Sequence, residues 1–158
     1  MFENTASLGG ALYVNSHGAA TIRECTFFAN SAEHGSGIAL SYTDPVLGIE
    51  NTVVAFGATG EAVLAWGEAT FTCCNIYGNT GGDWEGIIAD QLGQNGNISE
   101  DPLFCDPENG DFSLSCASPC APFTPPNDEC DLIGAWPVGC ETPVVPATWS
   151  GIKILFRD

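Results

Sequence analysis

Basic residues are almost missing from this sequence: Lys and Arg number 3 against 20 Asp and Glu, a formal net charge of −17. Arg23 is the only one of them before position 141, so residues 1–140 carry the whole −17. Residues 141–158, with Glu141, Lys153, Arg157 and Asp158, are neutral. Nucleic acids and anionic lipids are held by Lys and Arg that neutralise phosphate, so a body this acidic excludes them as partners. Calcium, cationic partners and neutral polymers stay compatible with the charge. No run approaches the ~18 apolar residues of a membrane span. The opening Met-Phe-Glu-Asn has neither the basic n-region nor the apolar h-region of a signal peptide. If the protein is exported, the expectation is a signal upstream of Met1, or a chain that is a fragment. Long runs of helix formers are missing as well, and 19 glycines are scattered throughout, which argues against helix.

What is present is enough apolar material to fold. With 158 residues, 44% of them hydrophobic, the chain supports one domain with a core and is no disordered acidic tail. Its 8 cysteines fit an oxidising compartment, where disulfides persist. Zinc is the competing explanation, through Cys116-x3-Cys120 with Cys130 and Cys140. Those spacings match no common zinc module, and the segment is rich in Pro, so disulfides are preferred.

Internal repeats organise the first two thirds. Phe2-Glu3-Asn4-Thr5-Ala6 recurs as Phe28-Ala29-Asn30-Ser31-Ala32, and each copy is followed by small residues and a short apolar run. Ile22–Asn30, Ile49–Gly57 and Phe71–Asn79 align as three further copies, with a period that drifts through the low-to-middle twenties. Each period holds three short runs of β-favouring residues separated by Gly, Asn, Ser or Thr. A parallel coil explains this, since turns stacked at roughly 4.8 Å align equivalent positions into ladders. The expected inward ladders are Ile22, Ile49 and Phe71; Cys25, Thr52 and Cys74; and Phe27, Val54 and Ile76. Asn30, Gly57 and Asn79 fall at a corner, where left-handed backbone is expected.

This rung pattern resembles the repeats of the right-handed parallel β-helix proteins of the pectate-lyase-like superfamily over residues 1 to about 98. Asp101-Pro102-Leu103-Phe104, Asp106-Pro107-Glu108-Asn109-Gly110-Asp111-Phe112-Ser113-Leu114 and Ser118-Pro119 follow. They are similar to the closing segment of many bacterial β-helix proteins, and Leu132-Ile133-Gly134-Ala135-Trp136 resembles its last strand. The resemblance implies an all-β solenoid and an extracellular or cell-surface setting. It implies no activity, because the fold hosts lyases, hydrolases, adhesins and spacers. The expected organisation is rungs over 1–98, a disulfide-bearing cap over 99–141 that covers the end of the coil, and a linker and tail over 142–158. In the tail, Thr148 is expected to cap a short helix carrying Trp149, Ile152, Leu155 and Phe156, which would need its own solenoid, a partner or an anchoring or export machinery to be stable.

The register places Cys25 and Cys74 two coils apart, roughly 9–10 Å, beyond the limit of about 7 Å for a disulfide. Both are expected as inward thiols. Cys73 faces differently and joins Cys105, Cys116, Cys120, Cys130 and Cys140 as disulfide candidates, with connectivity open. Asp106–Asp111 spaces acidic oxygens around a Gly but lacks the pattern of an EF-hand, and a turn with Asn-Gly at its tip is preferred. Calcium elsewhere has no located site, and no cofactor is expected.

Catalytic residues are not apparent. A lyase needs a base beside calcium-binding carboxylates, and Arg23 stands alone in the coil. A hydrolase needs paired acids, whereas Asp44, Asp83 and Asp90 are isolated. His17 and His34 read as turn residues, and Asn97-Ile98-Ser99 is a sequon only in a glycosylating host. The expectation is a non-catalytic secreted module that binds a polysaccharide or surface protein, or serves as a rigid spacer. The alternatives are the C-terminal part of a polysaccharide lyase or glycoside hydrolase with its site upstream, and a filament or coat subunit.

Overall fold

The computed structural model describes residues 1–15, 19–41 and 46–140. It is a parallel β-solenoid. Its rungs are built from β1 (Thr5–Leu8), β2 (Leu12–Val14), β3 (Ala19–Arg23), β4 (Thr26–Phe28), β5 (Ser31–His34), β6 (Ile38–Leu40), β7 (Val46–Glu50), β8 (Val53–Ala55), β9 (Val63–Ala65), β10 (Glu68–Thr72) and β11 (Asn75–Tyr77). Strands one turn apart pair in parallel, giving sheets β3–β7–β10, β4–β8–β11, β2–β6–β9 and β1–β5. A full turn therefore has four strand positions where the sequence suggests three runs. The extra one, Ser-Ala-Glu-His in β5, is polar and lacks β-favouring residues, and its backbone pairing to β1 makes it a strand.

Alternation along each strand sends every second side chain into the coil, and parallel register repeats that choice on every turn. Ile22, Ile49 and Phe71 are register partners, as are Phe27, Val54 and Ile76, and Leu12, Ile38 and Val63. Middle and last members of these ladders are buried, whereas Leu12 and Ile22 in the first rungs are only half-buried.

The corners differ from the expectation by one residue. Left-handed backbone lies at Glu3, Ala29, Phe56 and Gly78, immediately before Asn4, Asn30, Gly57 and Asn79. The asparagines are there for their amides. Asn30 Oδ1 accepts from the Asn4 N–H, and Asn79 Oδ1 from the Gly57 N–H, across separations of 26 and 22 residues. Thr52 and Asn97 do the same at the preceding corner, accepting from the N–H groups of Cys25 and Cys74. Inward turns leave backbone donors without a strand partner, and a short side chain from the next rung satisfies them.

The C-terminal mouth of the coil is closed by residues 84–98, not by the cap expected over 99–141. Trp84 packs on Phe71 with ring centroids 5.3 Å apart, and its indole N–H donates to the Ile98 carbonyl. The 3-10 helix Gly86–Gln91 buries Ile88. Gln91 then imitates a further strand: its Oε1 accepts from the Phe71 N–H and its Nε2 donates to the Ala69 carbonyl.

The following residues fold back along the flank. The hairpin β12 (Phe104–Asp106) and β13 (Asp111–Ser115) turns through Pro107–Asn109, with left-handed Gly110 at its end, in keeping with the turn read from the sequence. β14 (Val138–Cys140) joins β13 in parallel. Leu132–Trp136 is a strap, not the last strand. Two of its N–H groups turn to the coil, Gly134 to the Asn51 carbonyl and Ala135 to Thr26 Oγ1, while that of Ile133 donates to the Cys120 carbonyl and that of Leu132 to Asp131 Oδ1, so these four do not build a sheet. Gly134 has φ +107, where an L side chain is strained, and an added Cβ would crowd Thr26 Oγ1 and Val53 at 3.0 and 3.1 Å. Beneath the strap a second core forms from Val53, Ile98, Leu114, Cys120, Cys130 and Ile133. The sheet β4–β8–β11 is thereby buried on both faces.

Candidate functional site: an aromatic cleft beside the strap

The outer face of β4, β8 and β11 carries a row of rings. Phe2 bridges to Phe28, which is in register with Ala55 and Tyr77. Ala55 breaks the row, and the neighbouring Phe56 fills it from the left-handed corner, 5.6 Å from Phe28 and 5.7 Å from Tyr77. The hairpin lays two more rings on this row: Phe112 lies 5.1 Å from Phe28 and 5.3 Å from Phe2, and Phe104 lies 5.8 Å from Phe28. Edge-to-face and tilted pairs of this kind fix ring orientation as well as burying area.

Where the row reaches the first rung it opens into a cleft of about 410 Å³. Phe28 and Phe112 form its floor, with Asn4, Thr26 and Gly110 around it, and Phe2 and Trp136 stand at its rim. Phe2 is 53% and Trp136 49% exposed, while Phe112 is buried. The cleft is thus apolar in its walls, and it sits on rigid strands and a backbone-anchored strap. A neighbouring groove shares Thr26 and Trp136 and runs over the open mouth of the coil past Ile22 and Leu12.

The cysteines divide into bridges and thiols. Cys73 bonds Cys130 and Cys105 bonds Cys140. The first ties the start of the strap to a rung corner, and the second closes the hairpin onto β14. Cys116 and Cys120, placed among the disulfide candidates, are free thiols. Cys120 lies under the strap, where its sulfur takes a hydrogen bond from Asn75 Nδ2, and Cys116 is exposed on the turn after β13. Cys25 and Cys74 are free as well, Cys74 in the core and Cys25 packed against it. Burial pushes the thiols of Cys74 and Cys120 up to about 12.

The acids and bases singled out in the sequence do not assemble. Arg23 makes an ion pair with Glu50 on the next rung, Nε to Oε2 at 3.1 Å and a second bond through Oε1. Asp83 accepts from the N–H groups of Gly78 and Asn79, so it shapes a corner. Asp90 is exposed in the 3-10 helix, and His34 lies 3.5 Å from Glu61 at the surface. His17 and Asp44, and the expected helix after Thr148, lie outside the described residues. Among the described residues, no three His, Cys, Asp or Glu side chains come together as a metal would require. No described helix is long and apolar enough to cross a membrane. Asn97 of the sequon is buried, with its amide spent on Cys74, Phe71 and Gln91.

The cleft itself has one sequence signal, the recurring aromatic ahead of a corner at Phe2, Phe28 and Tyr77. Trp136 has none, because its place depends on the direction of the strap. No family model matches the chain, and no curated protein or solved structure matches it.

Proposed function

We propose that this chain is a non-catalytic, extracellular β-solenoid module of the pectate-lyase-like type that binds a neutral glycan in the cleft between the first rung and the strap. The observation that carries this is the pair of half-exposed rings, Phe2 and Trp136, at the rim of an apolar cleft on a rigid frame. An aromatic face held in place offers the C–H face of a sugar ring contact area at little entropic cost. The charge of −17 selects among glycans, since a uronate polymer would be repelled and a neutral one would not. Two disulfides support an oxidising, extracellular setting. The pairing of Arg23 with Glu50 and the dispersal of the acids support a binding role over turnover.

The test is isothermal titration of the full chain with neutral oligosaccharides (β-glucan, xylan, mannan) and with oligogalacturonate as the acidic control. Binding of at least one neutral oligosaccharide, none of the acidic one, and a tenfold or greater loss in Trp136→Ala are expected. A flat response to every neutral sugar overturns the proposal and leaves a spacer. Full affinity in Trp136→Ala moves the site elsewhere.

A further inference from the structure

Three of the coil's sheets reach the closed mouth, and they end there differently. Gln91 covers the last edge of β3–β7–β10 by bonding the Phe71 N–H and the Ala69 carbonyl, and Ile98 bridges to Asn75 along the last edge of β4–β8–β11. The third sheet, β2–β6–β9, stops at β9. The next rung follows β9 only as far as Gly82, whose carbonyl accepts from the Ala62 N–H. Asp83 then turns back to bond the corner at Gly78 and Asn79, and Trp84 enters the core, so no strand forms beside Val63–Ala65. A slot of about 330 Å³ takes that place, walled by β9 on one side and by Gly81, Gly86 and Ile87 on the other, with Glu61 and Glu85 beside it.

Register decides which backbone groups face this slot. On β6, Ile38 donates its N–H to the Ala62 carbonyl and the Leu40 carbonyl accepts from the Trp66 N–H, so these two residues turn their backbone groups to β9. Their register partners Val63 and Ala65 turn theirs the other way, into the slot. Among the described residues, no hydrogen bond reaches the Val63 carbonyl or the Ala65 N–H. An unpaired edge of this kind is a template for another strand. We propose that an extended, basic segment of a partner protein adds to β9 in this slot as a fourth strand, continuing the parallel order of the sheet. Its central residue lies in register with Leu64, donating its N–H to the Val63 carbonyl and accepting from the Ala65 N–H. The residues on either side of it point toward Trp84 and Ile88, which already fill the coil, so they must be small. The central side chain points outward beside Leu64, where a β-branched residue fits the sheet. The segment begins next to Glu61 and Glu85 on a body of net charge −17, which selects Lys or Arg there. Ile87, 60% exposed on the far wall, is covered by the added strand.

The test titrates the full chain with the peptide acetyl-Lys-Lys-Ala-Val-Ala-Thr-amide and follows amide hydrogen exchange residue by residue. In the free protein the Ala65 amide should exchange faster than that of Leu64, which faces β6, and the peptide should bind and slow Ala65 selectively. Methylating the peptide's Val nitrogen removes the donor to the Val63 carbonyl, and a loss of about tenfold or more in affinity is expected. Replacing both Lys by Glu should abolish binding, and Glu61→Gln with Glu85→Gln should weaken the Lys peptide. No binding up to millimolar peptide overturns the inference, as does equal affinity for the methylated or the Glu peptide. An Ala65 amide already as protected as Leu64 in the free protein also overturns it, because the chain's own residues or a second copy then fill the slot.

Discussion

Asn79 is buried, and its amide binds one rung to the next: Oδ1 accepts from the Gly57 N–H, and Nδ2 donates to the Val54 carbonyl and the Asp83 carboxylate. Replacing it with Ala strands these groups, and a loss of about 2–3 kcal/mol is expected in chemical denaturation. The corner residue Ala29, at φ 51, carries a left-handed penalty that glycine lacks. Ala29→Gly should gain roughly 0.5–1 kcal/mol, the relieved strain less the added freedom of the unfolded chain. The thiols of Cys74 and Cys120 predict a pH effect. Each is raised from 9.0 to about 12, so between those values the folded protein holds protons that the unfolded chain has lost. Stability contributed by the neutral thiols is complete below pH 9 and declines as pH rises toward 12, measurable by melts in that range. The ladders were legible at this scale, because Ile22, Ile49 and Phe71 repeat at a fixed place. The left-handed residue was not, because Glu24, Ala29 and Phe56 give no sign of it and the Asn after the corner misleads.

At the scale of elements, Gln91 is the least legible part of the fold. Nothing in a lone Gln announces that its amide will stand in for a strand against β10. Gln91→Ala should expose the Phe71 N–H and Ala69 carbonyl, cost about 1–3 kcal/mol, and speed hydrogen exchange at Phe71 well before the amides of β8 are affected. If Phe71 exchanges at the wild-type rate, residues 84–98 do not cap the coil in this way. The hairpin β12–β13 was readable, since Asn109-Gly110 between two apolar runs is a local signal. The strap was not. Leu132–Trp136 reads as a strand until the coil claims the N–H groups of Gly134 and Ala135, and only tertiary contact with Asn51 and Thr26 decides it.

For the whole molecule, the decisive feature is the direction taken after the last rung. A closing segment can cover the end of a solenoid or run back along its side, and both bury apolar surface. Here it runs back, which buries β4–β8–β11 on both faces and brings Trp136 to the first rung, where the cleft is formed. The Cys73–Cys130 bridge joins residues 57 apart in sequence and pins the start of that path. Removing it as Cys73→Ser with Cys130→Ser should cost about 2–4 kcal/mol. Cysteine content announced an oxidised protein, but the partners depend on which flank the segment follows, and spacing carries no such information. Peptide mapping without reduction, after alkylation of free thiols, measures this most directly. The structure predicts Cys73 linked to Cys130, Cys105 linked to Cys140, and alkylation of Cys116 ahead of buried Cys74 and Cys120. A bridge between Cys25 and Cys74, or any bridge drawing in Cys116 or Cys120, would contradict the register of the rungs or the path of the strap.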